Sequence, residues 1–519
     1  MSASKENQTP QDLGGSGWGD PKTAREAQQR KAEKRSNILY GTIAVLFAVV
    51  AIVTLVWRSN ILSRTLPAVT IDGQNYTAAE VNFYYQNVYQ TFLGQNSSIV
   101  SYLGLNPNES LRGQIIDETT AGMMDVEAGT SWYDYFLDQA LQQMATIQAT
   151  LDAAEAEGFA YPAGVQAQYE DSVASLERAA AASGTSVDKY LQSNLGASMT
   201  EKAYNSQLLR MLQYSAYSSA YLDGLTFTDA ELEAAYAEAP NTYDKASYEV
   251  VTVRGAAQST TDADGNTVEP TEEETQAALD AAKATADSIL SAYQAGGDLS
   301  ELAETNEATY TQQTAGTYGG DAITEWVFDS ARTAGDTAVL ESGSNYCVTV
   351  FHDRFRETYS TIDVRHILFT PAAGTLTAED EGYEAEQAQL KADALAQAED
   401  ILAQWQSGEA TEASFAALAM EHSADGSKYD GGLYTGVYQG QMVETFNDWC
   451  FDSARRSGDT GIVETDYGAH VMYFVGEDLP FWQSQVANTL KNQAYSAWVA
   501  ELAGKYTAEQ HGFAMKFVG

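Results

Sequence analysis

The period of the apolar positions changes several times along the 519 residues, and each change marks an element. Ile38 to Trp57 is a run of twenty residues without a charge, ILYGTIAVLFAVVAIVTLVW. At about 1.5 Å per helical residue it matches the hydrocarbon core of a bilayer. It predicts a transmembrane helix over 37–58, with Tyr40 and Trp57 near the two interfaces. Residues 1–36 have no apolar periodicity and read as a disordered tail. Residues 68–76 alternate around Asp72-Gly73, a hairpin signal, and Thr77 with Glu80 forms a capping box. The helix it opens carries Val81, Tyr84, Tyr85, Val88, Tyr89 and Phe92 on one stripe. From about 131 to 235 the pattern is helical almost throughout. Trp132, Tyr135, Phe136, Ala140, Met144 and Ile147 form one face, and Leu208, Leu209, Leu212, Tyr217 and Tyr221 contribute to another. Two readings of the tyrosine stripes stay open: ordinary helix packing, or partly exposed surfaces that grip unfolded peptide. After 240, strand-like and helical segments alternate. A last helix, Trp482 to about Leu502, carries Val486, Leu490, Ala494, Trp498 and Leu502 on one face. Alone it cannot bury that stripe, so it is expected to pack back on the N-terminal helices.

The alternating region is duplicated. Glu325 to Thr337 (EWVFDSARTAGDT) matches Asp448 to Thr460 (DWCFDSARRSGDT) at an offset of 123, and Ala286 to Tyr293 matches Ala398 to Trp405 at 112. The strand Glu249-Val-Val-Thr-Val253 aligns with Asp363-Val-Arg-His-Ile367. Such self-similarity predicts two copies of one structural unit, each strand, long helix, short helix, loop, helix, strand. In this alignment Thr252 stands at the place of His366 and Cys347 at that of His470.

Composition narrows the function classes. With 28 bases against 72 acids the net charge is −44, which excludes nucleic acid as a partner, because phosphate binding needs clustered Lys and Arg. Residues 1–36 carry seven bases and five acids, so the acidic mass lies beyond the apolar run. The positive-inside rule then places the tail in the cytoplasm and the bulk outside the membrane. Cys347 and Cys450 are the only cysteines and occupy different places in their copies, so two buried free thiols are expected rather than a disulfide. No metal-ligand spacing is present and no cofactor is implied.

The second copy holds five chemically suggestive features in order. They are His366 in VRHILF, His422-Ser-Ala-Asp-Gly-Ser427, Gly431-Gly432, Gly440-Gln-Met-Val-Glu-Thr-Phe446, and Thr465-Asp-Tyr-Gly-Ala-His470. Together they resemble the parvulin family of peptidyl-prolyl cis/trans isomerases. The surrounding architecture is similar to that of extracytoplasmic foldases of the PrsA, SurA and PpiD type. The resemblance implies an α+β chain with a single transmembrane helix, a helical SurA-like chaperone domain (66–240), a degenerate parvulin-like domain (245–355), a parvulin domain (360–476) and a C-terminal helical segment (477–519). It implies His366, Asp425, His470 and Thr465 as catalytic residues, with Met442 and Phe446 lining a proline pocket. It also implies prolyl isomerisation of newly translocated, unfolded proteins. A non-catalytic holdase or envelope scaffold is the alternative, and a dimer is left open. Two departures stand out. The family's Gly-Gly-Asp-Leu-Gly-aromatic-Phe run is here Gly431-Gly-Leu-Tyr-Thr-Gly-Val-Tyr438. The loop 370–386, basic in phospho-specific parvulins, holds five acids and no base.

Overall fold

The computed structural model describes residues 42–56, 59–262 and 265–519. The expected tail lies outside these residues, as does part of the expected transmembrane segment. Residues 42–56 are helical (α1) and exposed along their length. Among the described residues no helix is long and apolar enough to cross a membrane.

The chain divides into two compact units. The first contains the described residues up to 145, with 176–207 and 506–519. After the short helix α2 (Ile61–Thr65), β1 (Pro67–Ile71) and β2 (Gln74–Thr77) form the expected hairpin, with Asp72 and Gly73 at positive φ. Thr77 and Glu80 close the predicted capping box on α3 (Ala78–Gln95). The other edge of β1 pairs with the terminal strand Ala508–Gln510, Val69 opposite Gln510. Asn82 of α3 binds the same tail, donating to the Phe517 carbonyl at 3.1 Å and accepting from the Gly519 amide at 2.7 Å. The unit also contains α4 (Glu118–Met124) and the start of α5 (Trp132–Glu157), where Trp132 and Phe136 stack and Phe92 meets both. Tyr84 and Tyr85 are buried, so ordinary packing describes that stripe.

The second unit contains 146–175 and 208–505. The helices α6 (Ala163–Ala182), α7 (Val187–Leu195) and α8 (Glu201–Gly224) follow α5 along the chain, and the expected helical domain 66–240 is shared between the units. Within the second unit come α9 (Asp229–Glu238), α10 (Pro240–Tyr243) and two α/β copies. The first copy runs β3 (Lys245–Arg254), a small hairpin β4 (Thr260–Thr261) and β5 (Thr267–Val268), α11 (Glu272–Gln294), α12 (Leu299–Thr305), β6 (Thr309–Gly316), α13 (Ala322–Val327), β7 (Thr337–Ser342) and β8 (Asn345–Phe355). The second runs β9 (Ser360–Phe369), α14 (Tyr383–Ser407), α15 (Glu412–His422), β10 (Leu433–Val437), α16 (Glu444–Cys450), β11 (Thr460–Thr465) and β12 (Gly468–Pro480). Their sheets are antiparallel with equivalent orders, β6-β3-β8-β7 and β10-β9-β12-β11.

Each sheet is covered on one face by its long helix. Ala282, Ala286 and Ile289 pack on Val251, Val253, Val348 and Val350, and Ala394, Ala398 and Ile401 pack on Ile367, Phe369 and Val471. The alanines let helix and sheet approach closely, so β-branched strand residues fill the space between them. The other face packs on the short helix, α13 or α16. Both cysteines are free and buried on that face, and burial pushes the Cys450 thiol up to about 12.

Register corrects one alignment. Leu340 lies opposite Cys347 and Val463 opposite His470, so both pairs keep the offset of 123 between the copies. Across the central pair, Cys347 faces Thr252 whereas His470 faces Leu368. Thr252 therefore corresponds to Leu368, and the position of His366 is held by Val250. The sequence alignment had slipped by two residues. A two-residue slip keeps every side chain on its own face, so the apolar pattern does not reveal it.

The C-terminal helix α17 (Phe481–Ala503) packs on α9, where Trp482 and Val486 meet Leu232 and Tyr236. Further along, Trp498 stacks on Tyr221 of α8 at 4.1 Å, and the Tyr495 and Tyr214 hydroxyls lie 3.0 Å apart. The stripe of Tyr217 and Tyr221 is thus covered by a helix more than two hundred residues away in sequence.

Candidate active site

Beta-branched and aromatic residues flank both histidines and make them strand positions. Antiparallel pairing of β9 with β12 then sets the two rings diagonally across the sheet centre, on the face covered by α16. His366 and His470 are 2% and 5% exposed, so their polar atoms need partners inside the protein. The Nδ1 atoms lie 3.1 Å apart. Beyond them, His470 Nε2 is 2.9 Å from the Thr465 hydroxyl, and His366 Nε2 is 3.3 Å from Asp425 Oδ1 and 3.2 Å from the Ser427 hydroxyl.

These contacts assign one polarity. Ionised Asp425 only accepts, so His366 carries its hydrogen on Nε2 and accepts at Nδ1. His470 must then donate from Nδ1 and accept at Nε2 from Thr465. The Thr465 oxygen is free to do this, because it accepts from the Tyr467 amide at 3.1 Å. Hydrogen bonds run in one direction from Tyr467 N–H through Thr465, His470 and His366 to Asp425.

The same contacts shift the titration of Asp425 and His470. The hydrogen bond from His366 is the largest cause holding Asp425 far below the usual carboxylate range; the Ser427 hydroxyl and amide add to it, against burial. His470 is lowered to about 4, mainly by burial and further by any positive charge taken up at His366. At neutral pH His470 is uncharged and Asp425 is ionised.

The loop after α15 delivers Asp425. The Ser423 hydroxyl accepts from the Leu368 amide at 3.0 Å and the Asp425 amide at 3.2 Å, tying the loop to β9. A 3-10 turn, Gly426–Asp430, follows and leads into Gly431 and Gly432, both at positive φ. The Gly432 carbonyl accepts from the His366 amide at 2.9 Å. A Cβ on Gly432 would stand 2.2 Å from the His366 carbonyl oxygen, so the double glycine is required by close backbone approach. On its outer side the turn meets the first part of α6. Lys428 Nζ is 2.5 Å from Asp171, the Tyr429 hydroxyl is 3.0 Å from the same carboxylate, and Gly164 lies against the Tyr429 carbonyl with no room for a Cβ.

The residues expected for the site are brought together. Phe446 is buried edge-on against both imidazoles, at 5.6 Å and 5.5 Å, and Met442 is half-buried in the same cluster. Two participants went unassigned in the sequence. Ser427 bridges His366 and Asp425. Tyr434 stacks on His366 at 4.9 Å with 21° between planes and donates to Asp425 Oδ1 at 3.0 Å. The signal available for Ser427 was its place two residues after Asp425, where an Asx turn forms; Tyr434 stood out only as the departure from the Gly-Gly-Asp-Leu run.

Comparisons with known proteins bear on this domain. Residues 351–477 match the family described as the PPIC-type PPIase domain. No curated protein matches the chain. Solved structures that match include peptidylprolyl isomerase PrsA from Bacillus cereus, 21% identical over 28% of this chain and 49% of that one, TM-score 0.18. PrsA from Bacillus subtilis is 25% identical over 28% and 48%, TM-score 0.19. A structure of the SurA-like chaperones PEB4 and Cj1289 from Campylobacter jejuni is 14% identical over 76% and 95%, TM-score 0.14. The chain thus spans about half the length of the PrsA structures it matches. Over residues 351–477 it carries a domain of the parvulin family, the PPIC-type peptidyl-prolyl isomerases.

Proposed function

We propose that the second α/β copy catalyses cis/trans rotation about X–Pro bonds of unfolded or partly folded polypeptides, and that the chain acts as a foldase. The observation that carries this reading is the buried, single-direction chain Thr465–His470–His366–Asp425 beside Phe446 and Met442, present in only one of two otherwise matching sheets. The reaction breaks no covalent bond. Its barrier, about 18–20 kcal/mol, comes from amide resonance, so the site need only favour the twisted amide over the planar one. Phe446 and Met442 offer an apolar wall for the proline ring. His366 and His470 present fixed dipoles in a partly dry cleft and need little reorganisation as the amide twists. Asp425 orients His366, and Thr465 orients His470. The uncharged run 38–57 and the basic tail before it support anchoring by one helix with the acidic bulk on the extracytoplasmic side. Newly translocated proteins would then be the clients.

A second reading has an observation of its own. The first copy builds the same sheet with Val250 and Cys347 in place of the histidines, as a binding-only domain would. A protease-coupled X–Pro assay on the full chain, with His366→Ala beside it, separates the two. Acceleration by the wild type and its loss in the variant supports catalysis. No acceleration by the wild type, with aggregation of unfolded protein still suppressed, supports the holdase.

A further inference from the structure

Asp425 Oδ1 is a crowded atom. It accepts from the Ser427 amide at 2.8 Å, the Ser427 hydroxyl and the Tyr434 hydroxyl at 3.0 Å, and it faces His366 Nε2. Ser427 creates an ambiguity here. Its oxygen is as close to His366 Nε2 as the carboxylate is. While the serine proton points at Asp425, Nε2 sees two acceptors and carries hydrogen. If the carboxylate turns away or takes up a proton, the serine hydroxyl is free to donate to Nε2. His366 would then hold its hydrogen on Nδ1, His470 would have to reverse, and the chain would point the other way.

Tyr434 stands where it prevents this. β10 lies beside β9 with Tyr434 opposite Val364, and both ends of the pairing are pinned: Gly432 to the His366 amide, and the Gly436 amide to Asp363 at 2.9 Å. The phenol ring is held flat against His366 while its hydroxyl reaches the carboxylate. Burial, and then the charge of Asp425, pushes Tyr434 up to about 12, so it remains a donor throughout the working range. Asp425, Tyr434 and His470 are the titratable groups that touch His366. Phe446 on α16 is apolar, and the neighbouring Arg365 is paired with Glu412 at 2.9 Å.

We propose that Tyr434 is a positioning residue: by stacking on His366 while donating to Asp425, it fixes the carboxylate and thereby the direction of the hydrogen-bond chain through both histidines. This rests on the isomerase reading only for its kinetic consequence.

The test is nitrogen NMR of histidine-labelled full-length protein, paired with pH profiles of X–Pro isomerisation. The wild type should show His366 with hydrogen on Nε2 and His470 with hydrogen on Nδ1. Tyr434→Phe keeps the ring and removes the donor, so it should show mixed or reversed tautomers. Losing a donor to the ionised form raises the Asp425 pKa. That titration lies below the one of His470, which sets the acid limb, so the readout is kcat, lowered about three- to tenfold across the profile with KM little changed. Adding Ser427→Ala removes the competing proton and should restore the wild-type tautomers. The idea is overturned if the wild type carries the opposite tautomers, a result that needs no variant to fold. It is also overturned if Tyr434→Phe keeps both tautomers and profile, or if only KM changes, which would make Tyr434 a pocket wall. A wild type with the stated tautomers but no isomerase activity would sink the isomerase reading and leave this one standing.

Discussion

The two α/β copies share a sheet order and a scaffold, and they differ where the second has chemistry. The shared Trp-x-Phe-Asp-Ser-Ala-Arg segment does the same mechanical work in both. Arg332 lies over Trp326 at 4.9 Å and Arg455 over Trp449 at 3.9 Å. Asp329 and Asp452 each cap the amide two residues on, and Gly335 and Gly458 each donate to the strand phenylalanine 16 residues later, Phe351 or Phe474. On the sheet face behind this segment the copies part. The first has Val250, Cys347 and Ile323, and the second has His366, His470 and Phe446. A fold that closes over valine and cysteine has no structural need of two imidazoles. Burying them costs desolvation that only a full set of partners offsets. The second copy supplies the partners of His366 from the loop 423–432, between a short helix and an edge strand that the first copy joins with only three residues, 306–308, and Thr465 at the end of β11 serves His470.

The sharpest way to break this comparison is to convert one copy into the other. The double variant His366→Val, His470→Cys should lose at least about a hundredfold in kcat/KM, because the dipoles facing the amide are gone. Its stability to urea should stay within about 2 kcal/mol of the wild type or rise, since replacing a buried polar pair by apolar groups is often neutral. If the second copy unfolds instead, the histidines are structural and the first copy is no guide to it.

Backbone closeness comes next. Gly432→Ala places a methyl group 2.2 Å from the His366 carbonyl oxygen and 3.1 Å from Ala419 Cβ at φ +74°, against backbone that cannot easily yield. We expect a loss of about 3 kcal/mol or more, read by urea melts, together with lost activity. In the first copy Gly316→Ala meets the edge of the Tyr248 ring at 2.7 Å, a side chain that can shift. That variant should cost about 1 kcal/mol. Equal costs would mean that the close approach to His366 is not a constraint.

Acidification separates the copies in a third way. His470 titrates at about 4 when folded, below its ordinary value of 6.5. Between these values the unfolded chain binds the extra proton, so stability is full above 6.5 and falls as pH drops towards 4. The whole shift corresponds to about 3 kcal/mol at most. Asp425 acts in a lower window: its folded value is depressed, so its contribution is present above the unfolded carboxylate range and is lost as pH falls below it. Chemical melts at stepped pH should show the 4–6.5 slope in the wild type and a shallower one in the valine–cysteine variant. Equal slopes would contradict a neutral, buried His470.

Much of this was legible in residue patterns. Period-2 strands at both ends of a duplicated unit placed His366 and His470 at a sheet centre, and glycines beside polar residues marked the loop. Three things were hidden for physical reasons. The equivalence of Val250 with His366 was hidden because a two-residue slip leaves faces unchanged. Tyr434 was hidden because an aromatic residue on a strand reads as wall, and its hydroxyl's target lies on another loop. That the last helix would pack back on the earlier ones was legible in its unpaired stripe; that Tyr217 and Tyr221 are the residues it covers was hidden, because no local pattern encodes a contact with α17 so far along the chain.

The smallest expected effect concerns the contact of α6 with the turn 426–430, a turn that only the second copy has. The Lys428–Asp171 pair is partly exposed, so on its own it contributes under about 1 kcal/mol. The steric fit of Gly164 against Tyr429 is the stricter element, because any side chain there forces the helix and the turn apart. Ser427 and Asp425 sit at the inner side of the same turn, so loosening it should be felt at His366, although no partner of the histidines is removed. Gly164→Val should speed amide hydrogen exchange at 426–430 several-fold and change kcat/KM by about two- to threefold, whereas Asp171→Asn should do less. Exchange in the first copy should not move. If Gly164→Val leaves both exchange and rate as they were, α6 rests beside the turn without holding it, and the difference between the copies reduces to the side chains on the sheet.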